Sequence, residues 1–201
     1  MGTGRLEAFS DGVIAIVITI IVLLIDLPDG DDIGALARMV PLVAAYAVSF
    51  ILIGMRWANH HHLLQVTEKV NGKIMWANLL YLFALSLYPI ATGWVGKTNF
   101  AALPTTVFAS LNLFETLVFI LLERAILSSQ ASTALQSAVK SSKKELYSIL
   151  LELSAILCSL FVPLRAASYV LLLLMSGLWI VPDLRMKRAF EEAQRETENG
   201  G

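Results

Sequence analysis

Two polar residues, Ser10 and Asp11, stand at the mouth of the most apolar helix-length run in the chain, "RLEAFSDGVIAIVITIIVLLIDLP" at 5–28. A carboxylate beside such a run can coordinate a passing cation, carry a proton or anchor the helix through hydrogen bonds, and each role needs different neighbours. Glu115 and Glu152 raise the same question inside later apolar runs, where Asn112 and Ser148, one turn earlier, offer local hydrogen bonds. Structural anchoring is favoured for both over an ion or proton path. Asp26, with the adjacent "PDGDD", has the composition of an acidic mouth that concentrates cations, or of a solvated helix end. "HHH" at 60–62 suggests metal ligation, since imidazole is a common ligand. Successive helical residues diverge by about 100°, so one helix cannot aim all three rings at one ion. His60 is expected to hydrogen-bond within a bundle, with His61 and His62 at the membrane interface, and no metal or other cofactor is expected.

These groups must be held by membrane helices. The 201 residues are 57% hydrophobic and 15% charged, with a mean hydropathy of +0.70, far above a soluble domain of this size. The polar breaks divide the chain into six runs near 6–27, 37–62, 74–95, 102–127, 146–165 and 166–184. Each is close to the roughly 20 residues that a spanning helix needs. Only "PLRAAS" separates the last two, and its Pro163 and Arg165 favour a tight turn over one long helix. The expected fold is an all-α membrane protein, one six-helix domain over 1–201. No cleavable signal is evident, so the first run is read as the first span. Cys158 lies alone in an apolar run, which excludes an intrachain disulfide and suits packing.

Basic residues set the expected orientation. One side collects Arg5, Lys69, Lys73, Lys140, Lys143, Lys144, Arg185, Lys187, Arg188 and Arg195, whereas the other has Arg38, Lys97 and Arg165. By the positive-inside rule both termini are cytoplasmic. The charged segment 185–201 then reads as a short cytoplasmic tail that frays. With a formal net charge of −1 and dispersed basic residues, no nucleic-acid partner is expected.

On a helical wheel, Phe9, Gly12, Ile16, Thr19, Ile20 and Leu23 share one face of the first span, with Arg5 on the same side. Ser10 and Asp11 fall opposite. Asp11 can therefore line a watery path, or it can face its own bundle while the Thr19 side lines whatever the helix surrounds. The second arrangement is better supported, because Arg56, Trp57, Asn59, His60 and Asn78 lie at the same depth as donors.

"RLEAFSDG" resembles the Arg-x-x-x-Phe-Ser-Asp signature of the transmembrane protein 175 family, the endosomal and lysosomal potassium channels and their bacterial relatives. The likeness continues through "VIAIVITIIVLLI", the Trp and His of "WANHHH" and the Asn-Leu-Leu of "NLLYLFALSLYP", over about the first 95 residues. The resemblance implies a potassium-permeable cation channel of a bacterial plasma membrane, a homotetramer in which the first helix of each subunit lines the pore. It places a hydrophobic constriction on Ile16, Ile20 and Leu23 and a pore-facing hydroxyl layer on Thr19. It also implies a polar network of Arg5, Phe9, Ser10 and Asp11 with Trp57, His60 and Asn78. Potassium would be the permeant ion, and the partners are lipid, monovalent cations and further copies of the chain.

No TVGYG-type filter is present, and "TGWVG" at 92–96 lacks a re-entrant pore helix before it. Selectivity would then rest on side chains and be modest. The competing reading is a proton-coupled secondary transporter using Asp11, Glu115, Glu152 and the histidines. Against it, the chain carries no inverted repeat and no paired broken helices. No nucleophile motif or nucleotide loop supports an enzyme.

Overall fold

The computed structural model describes residues 2–65, 67, 69–129 and 143–179. Its elements are helical: α1 (Thr3–Leu23), α2 (Ile33–Gln65), α3 (Gly72–Ser86), α4 (Tyr88–Lys97), α5 (Ala102–Leu127), α6 (Lys143–Leu160) and α7 (Arg165–Leu178). No strand occurs among the described residues. Among the described residues, four segments are long and apolar enough to cross a membrane: α1, α2, α3 with α4, and α5. That is fewer than the six expected spans. In α6 the charged Lys143, Lys144, Glu145 and Glu152 keep the hydropathy down, and α7 is described over only 14 residues. A single tight turn, Val162–Leu164, separates α6 from α7 around Pro163. The expected tail at 185–201 and the basic residues Lys140, Arg185, Lys187, Arg188 and Arg195 lie outside the described residues.

Boundary chemistry accounts for the other differences. The first helix ends at Leu23, where the Leu24 and Ile25 amides turn back to the carbonyls of Ile21 and Val22 at 3.1 and 3.2 Å. Asp26 therefore lies beyond the helix, not on its face. Asp32 starts α2 by accepting the Ala35 amide at 2.6 Å, and Asn71 starts α3 by accepting that of Ile74 at 3.0 Å. The single span expected at 74–95 is two helices meeting at Leu87, because Pro89 has no amide hydrogen for the ladder and fits the first turn of a new helix.

α5 is the hub of the bundle, packed on α3, α4, α6 and α7, while α1 packs on α2, α3 and α4. Hydroxyl pairs join the layers. Ser49 and Thr92 meet at 2.7 Å between α2 and α4, Thr106 and Ser159 at 2.8 Å between α5 and α6, and Tyr169 donates to Thr105 at 3.0 Å. Small residues permit the close approaches that membrane helices rely on. A Cβ on Gly96 would fall 2.7 Å from Leu42 Cδ2 and 2.9 Å from Leu42 Cα, whereas one on Gly54 meets nothing within 4 Å. Gly96→Ala should therefore cost about 1–3 kcal/mol by overpacking. Thermal unfolding of the solubilised protein should show a clear loss for Gly96→Ala and none for Gly54→Ala; equal effects would refute the close approach of α2 and α4.

Candidate functional site

The first helix has two unlike faces. Leu6, Ser10, Ile14, Val17 and Ile21 recur at helical spacing and are buried against the bundle. The other face carries Phe9, Ile16, Ile20 and Leu23, which are 53%, 57%, 40% and 79% exposed, together with Gly12 and Thr19. Such a row of large apolar side chains is uncovered within the subunit. Thr19 is the hydroxyl on this face, and its Oγ1 donates to its own helix, 2.9 Å from the Ile16 carbonyl and 3.0 Å from that of Ala15. The proton is thus committed to backbone while the oxygen lone pairs remain available to a cation.

Ser10 and Asp11 point away from that row. The Ser10 hydroxyl donates to the Leu6 carbonyl at 2.8 Å and accepts from Asn78 Nδ2 at 2.9 Å. Asn78 Oδ1 is then the acceptor for His60 Nε2 at 2.7 Å, which fixes the proton on that nitrogen. The His60 ring stacks on Tyr81 with centroids 5.1 Å apart and planes 4° from parallel. Ser10, His60 and Asn78 are wholly buried, so this line of hydrogen bonds ties α1, α2 and α3 in the apolar interior. Beside it, Trp57 Nε1 donates to Asp11 Oδ1 at 2.8 Å. Arg5 is exposed and stands apart from both sets, as does Phe9.

Of the donors expected to serve Asp11, only Trp57 reaches it. Asn59 donates back to the Met55 carbonyl at 2.8 Å. Arg56 turns to a different side of α2, where it forms an ion pair with Glu115 and lies 3.4 Å from Glu152. Thr116 donates to Glu152 at 2.7 Å, Tyr88 donates to Asn112 Oδ1 at 2.8 Å, and Arg56 lies 3.3 Å from the same Asn112 oxygen. One guanidinium thus joins Glu115 and Glu152, the two carboxylates for which the sequence favoured structural anchoring. Planar, multidentate and always charged, it is suited to that task. Neither expected local partner serves its carboxylate: Asn112 Nδ2 donates to the Phe108 carbonyl, and Ser148 accepts from Trp179 Nε1. These carboxylates are parts of a structural ion-pair network.

At the far end of α1, Asp26 pairs with Lys97 at 3.0 Å, both well exposed. Arg38 donates to the Asp29 carbonyl at 3.0 Å, so the acidic loop is partly balanced by base. "TGWVG" at 92–96 forms the C-terminal end of α4, where the Trp94, Val95 and Gly96 carbonyls accept from the Thr98, Phe100 and Asn99 amides at 3.1, 3.0 and 3.2 Å and are already engaged. Cys158 is half-buried and free.

These contacts leave one apolar face of α1 uncovered and tie the opposite side to the bundle through Ser10 and Asp11. The family model of the endosomal/lysosomal potassium channel TMEM175 matches residues 5–89. A potassium channel of Chryseobacterium sp. (strain P1-3) is 41% identical over 193 residues, which are 96% of this chain and 100% of that protein. The crystal structure of a lysosomal potassium-selective channel TMEM175 homologue from Chamaesiphon minutus aligns with a TM-score of 0.67 at 25% identity, covering 93% of this chain and 97% of that one. The endosomal/lysosomal proton channel TMEM175 of Gallus gallus is 36% identical over 99 residues, 43% of this chain and 20% of that protein. By the family model over 5–89 and the nearly full-length likeness to the Chryseobacterium channel and the Chamaesiphon structure, the chain belongs to the TMEM175 family of potassium channels.

Proposed function

We propose that four copies of the chain surround a central pore lined by α1 and conduct potassium across a bacterial plasma membrane, with both termini in the cytoplasm. The observation that carries this reading is the uncovered row Phe9, Ile16, Ile20 and Leu23, interrupted by Thr19, on a helix whose opposite face is buried. A lipid-facing row would also be apolar, but the hydroxyl and the family relatives favour a pore. Ile16, Ile20 and Leu23 form the gate, since a narrow apolar constriction expels water and stops ions. Four Thr19 oxygens replace part of the water shell of an ion and give modest preference for potassium over sodium. Asp11 is an anchor for the pore helix, and Asp26 contributes little to cation capture because Lys97 offsets it. Potassium needs no cofactor here.

Planar-bilayer recording of the purified protein under opposed potassium and sodium gradients tests the reading. Ohmic single-channel openings that reverse toward the potassium potential are expected. Thr19→Val should leave openings intact while moving the reversal potential toward zero; an unchanged reversal potential would remove Thr19 from selectivity.

A second reading has one specific support, the name proton channel given to vertebrate relatives matching 43% of this chain. In its transporter form, the intramembrane acids and histidines would couple substrate to protons. Currents that follow an imposed pH gradient, or flux that saturates and needs that gradient, would favour it over potassium conduction. The engagement of Glu115 and Glu152 with Arg56 leaves them poorly placed as carriers.

A further inference from the structure

Outside the pore face and the buried networks, one cluster brings ligand-type atoms together without an assigned role. Glu7 and Asp11 lie one turn apart on α1, and His61 faces them from α2; one donor atom from each falls within 4.8 Å of the others. His61 Nδ1 is 2.8 Å from Glu7 Oε1. That nitrogen is buried yet makes no aligned hydrogen bond, so its ring plane and the carboxylate are not arranged as a simple donor and acceptor. The side chains are only partly exposed, His61 at 30% and Glu7 at 25%, which leaves room for a water and access for an ion.

We propose that Glu7, Asp11 and His61 bind a divalent transition-metal cation of the zinc type, which clamps α1 to α2. One imidazole with two carboxylates is a donor set for such ions, with the fourth position open to water. Around a tetrahedral ion with bonds of about 2.1 Å, donor atoms stand about 3.4 Å apart, within small side-chain adjustments of the observed cluster. The outer contacts are in place. Trp57 donates to one Asp11 oxygen at 2.8 Å and holds that carboxylate, leaving the other oxygen for the metal. Trp57 also stacks on His61, with centroids 5.6 Å apart. Gln65 lies 2.8 Å from His61 Nε2, and a half-turn of its amide presents an oxygen to Nε2–H, which puts the free lone pair on Nδ1. The tripled histidines do not act together: His60 is committed to Asn78, and His62 is exposed one position beyond His61.

Metal binding is independent of what the chain conducts, so its test needs no current. The full-length purified protein, stripped with chelator, is titrated with zinc chloride while its thermal midpoint is followed, and retained zinc is measured after gel filtration. Zinc should raise the wild-type midpoint and stay bound in stoichiometric amount, whereas magnesium at the same concentration should do neither. His61→Ala and, separately, Glu7→Gln should weaken zinc binding by about ten-fold or more. His62→Ala should bind as wild type does. No zinc retained by the wild type, or the same midpoint shift in His61→Ala, would overturn the proposal and leave Glu7 and His61 as an ion pair only. Glu7→Gln, close in shape to the native side chain, keeps the question decidable should the alanine variant fail to fold.

Discussion

Arg56→Met should be the most damaging single substitution in the bundle. It removes the cation that joins Glu115 and Glu152, both with fully buried side chains, and strands two carboxylates in an apolar interior. Breaking a buried pair from one side typically costs about 3–5 kcal/mol, enough to consume much of the stability of a small domain. The expected outcome is loss of monodisperse protein after solubilisation, or a sharply lowered thermal midpoint. Arg56→Lys should recover only part of it, because an ammonium cannot span the Glu115, Glu152 and Asn112 oxygens as the planar guanidinium does. Adding Glu115→Gln and Glu152→Gln to Arg56→Met should restore more stability than the lysine variant, since the buried charge is then gone. An Arg56→Met protein as stable as wild type would mean that this network contributes nothing to the fold.

Ile16→Asn should have the largest effect on conduction. Ile16 is 57% exposed on the row assigned to the gate, so asparagine adds hydrogen bonding without disturbing the buried face of α1. Four amides in a constriction hold water where four isoleucines expel it. A several-fold rise in basal potassium current is expected, with normal assembly. Ile14→Asn, two positions earlier on the buried face, should instead impair folding and give no such leak. Unchanged currents for polar substitutions at Ile16, Ile20 and Leu23 alike would place the gate elsewhere.

The two faces of α1 were legible in the sequence because a helix converts spacing into angle. Ser10 and Asp11 are adjacent, so the apolar row on the other side followed from 3.6 residues per turn without any structure. Shared depth marked Trp57, His60 and Asn78 as donors for Asp11, yet of these Trp57 alone serves it, while Asn78 donates to Ser10 and His60 to Asn78. Depth alone could not choose among donors. Arg56 and Trp57 are neighbours in the chain, yet about 100° apart on α2, so they look toward different helices. Which one meets Asp11 depends on α2 having α1 on one side and α5, α6 and α7 near the other, an ordering that hydropathy does not encode. The partner of Arg56 at Glu152 is 96 residues away for this reason.

Other misreadings have local causes. The end of α1 at Leu23 precedes Pro28, the only strong breaker nearby, so an apolar run overstates the helix and lifted Asp26 onto its face. The split at Leu87 carried a visible signal in Pro89, outweighed by continuous hydropathy from 74 to 95. Glu7 was passed over because it lies beside the signature residues; its one-turn spacing to Asp11 was the signal available. The six-helix expectation rests on length and apolarity together; among the described residues four segments meet both, and α6 begins with a charged turn.

On the proposed function, ions pass the Phe9, Ile16, Thr19, Ile20 and Leu23 face of α1. The measurement that tests it most directly is single-channel recording of cysteine variants, one per position, in a Cys158→Ser background, during exposure to a charged thiosulfonate reagent. Cysteine at Ile16, Thr19 or Ile20 should make the potassium current change irreversibly, while cysteine at Ile14 or Val17 should leave it untouched. Modification at the buried-face positions with none on the exposed row would contradict this path.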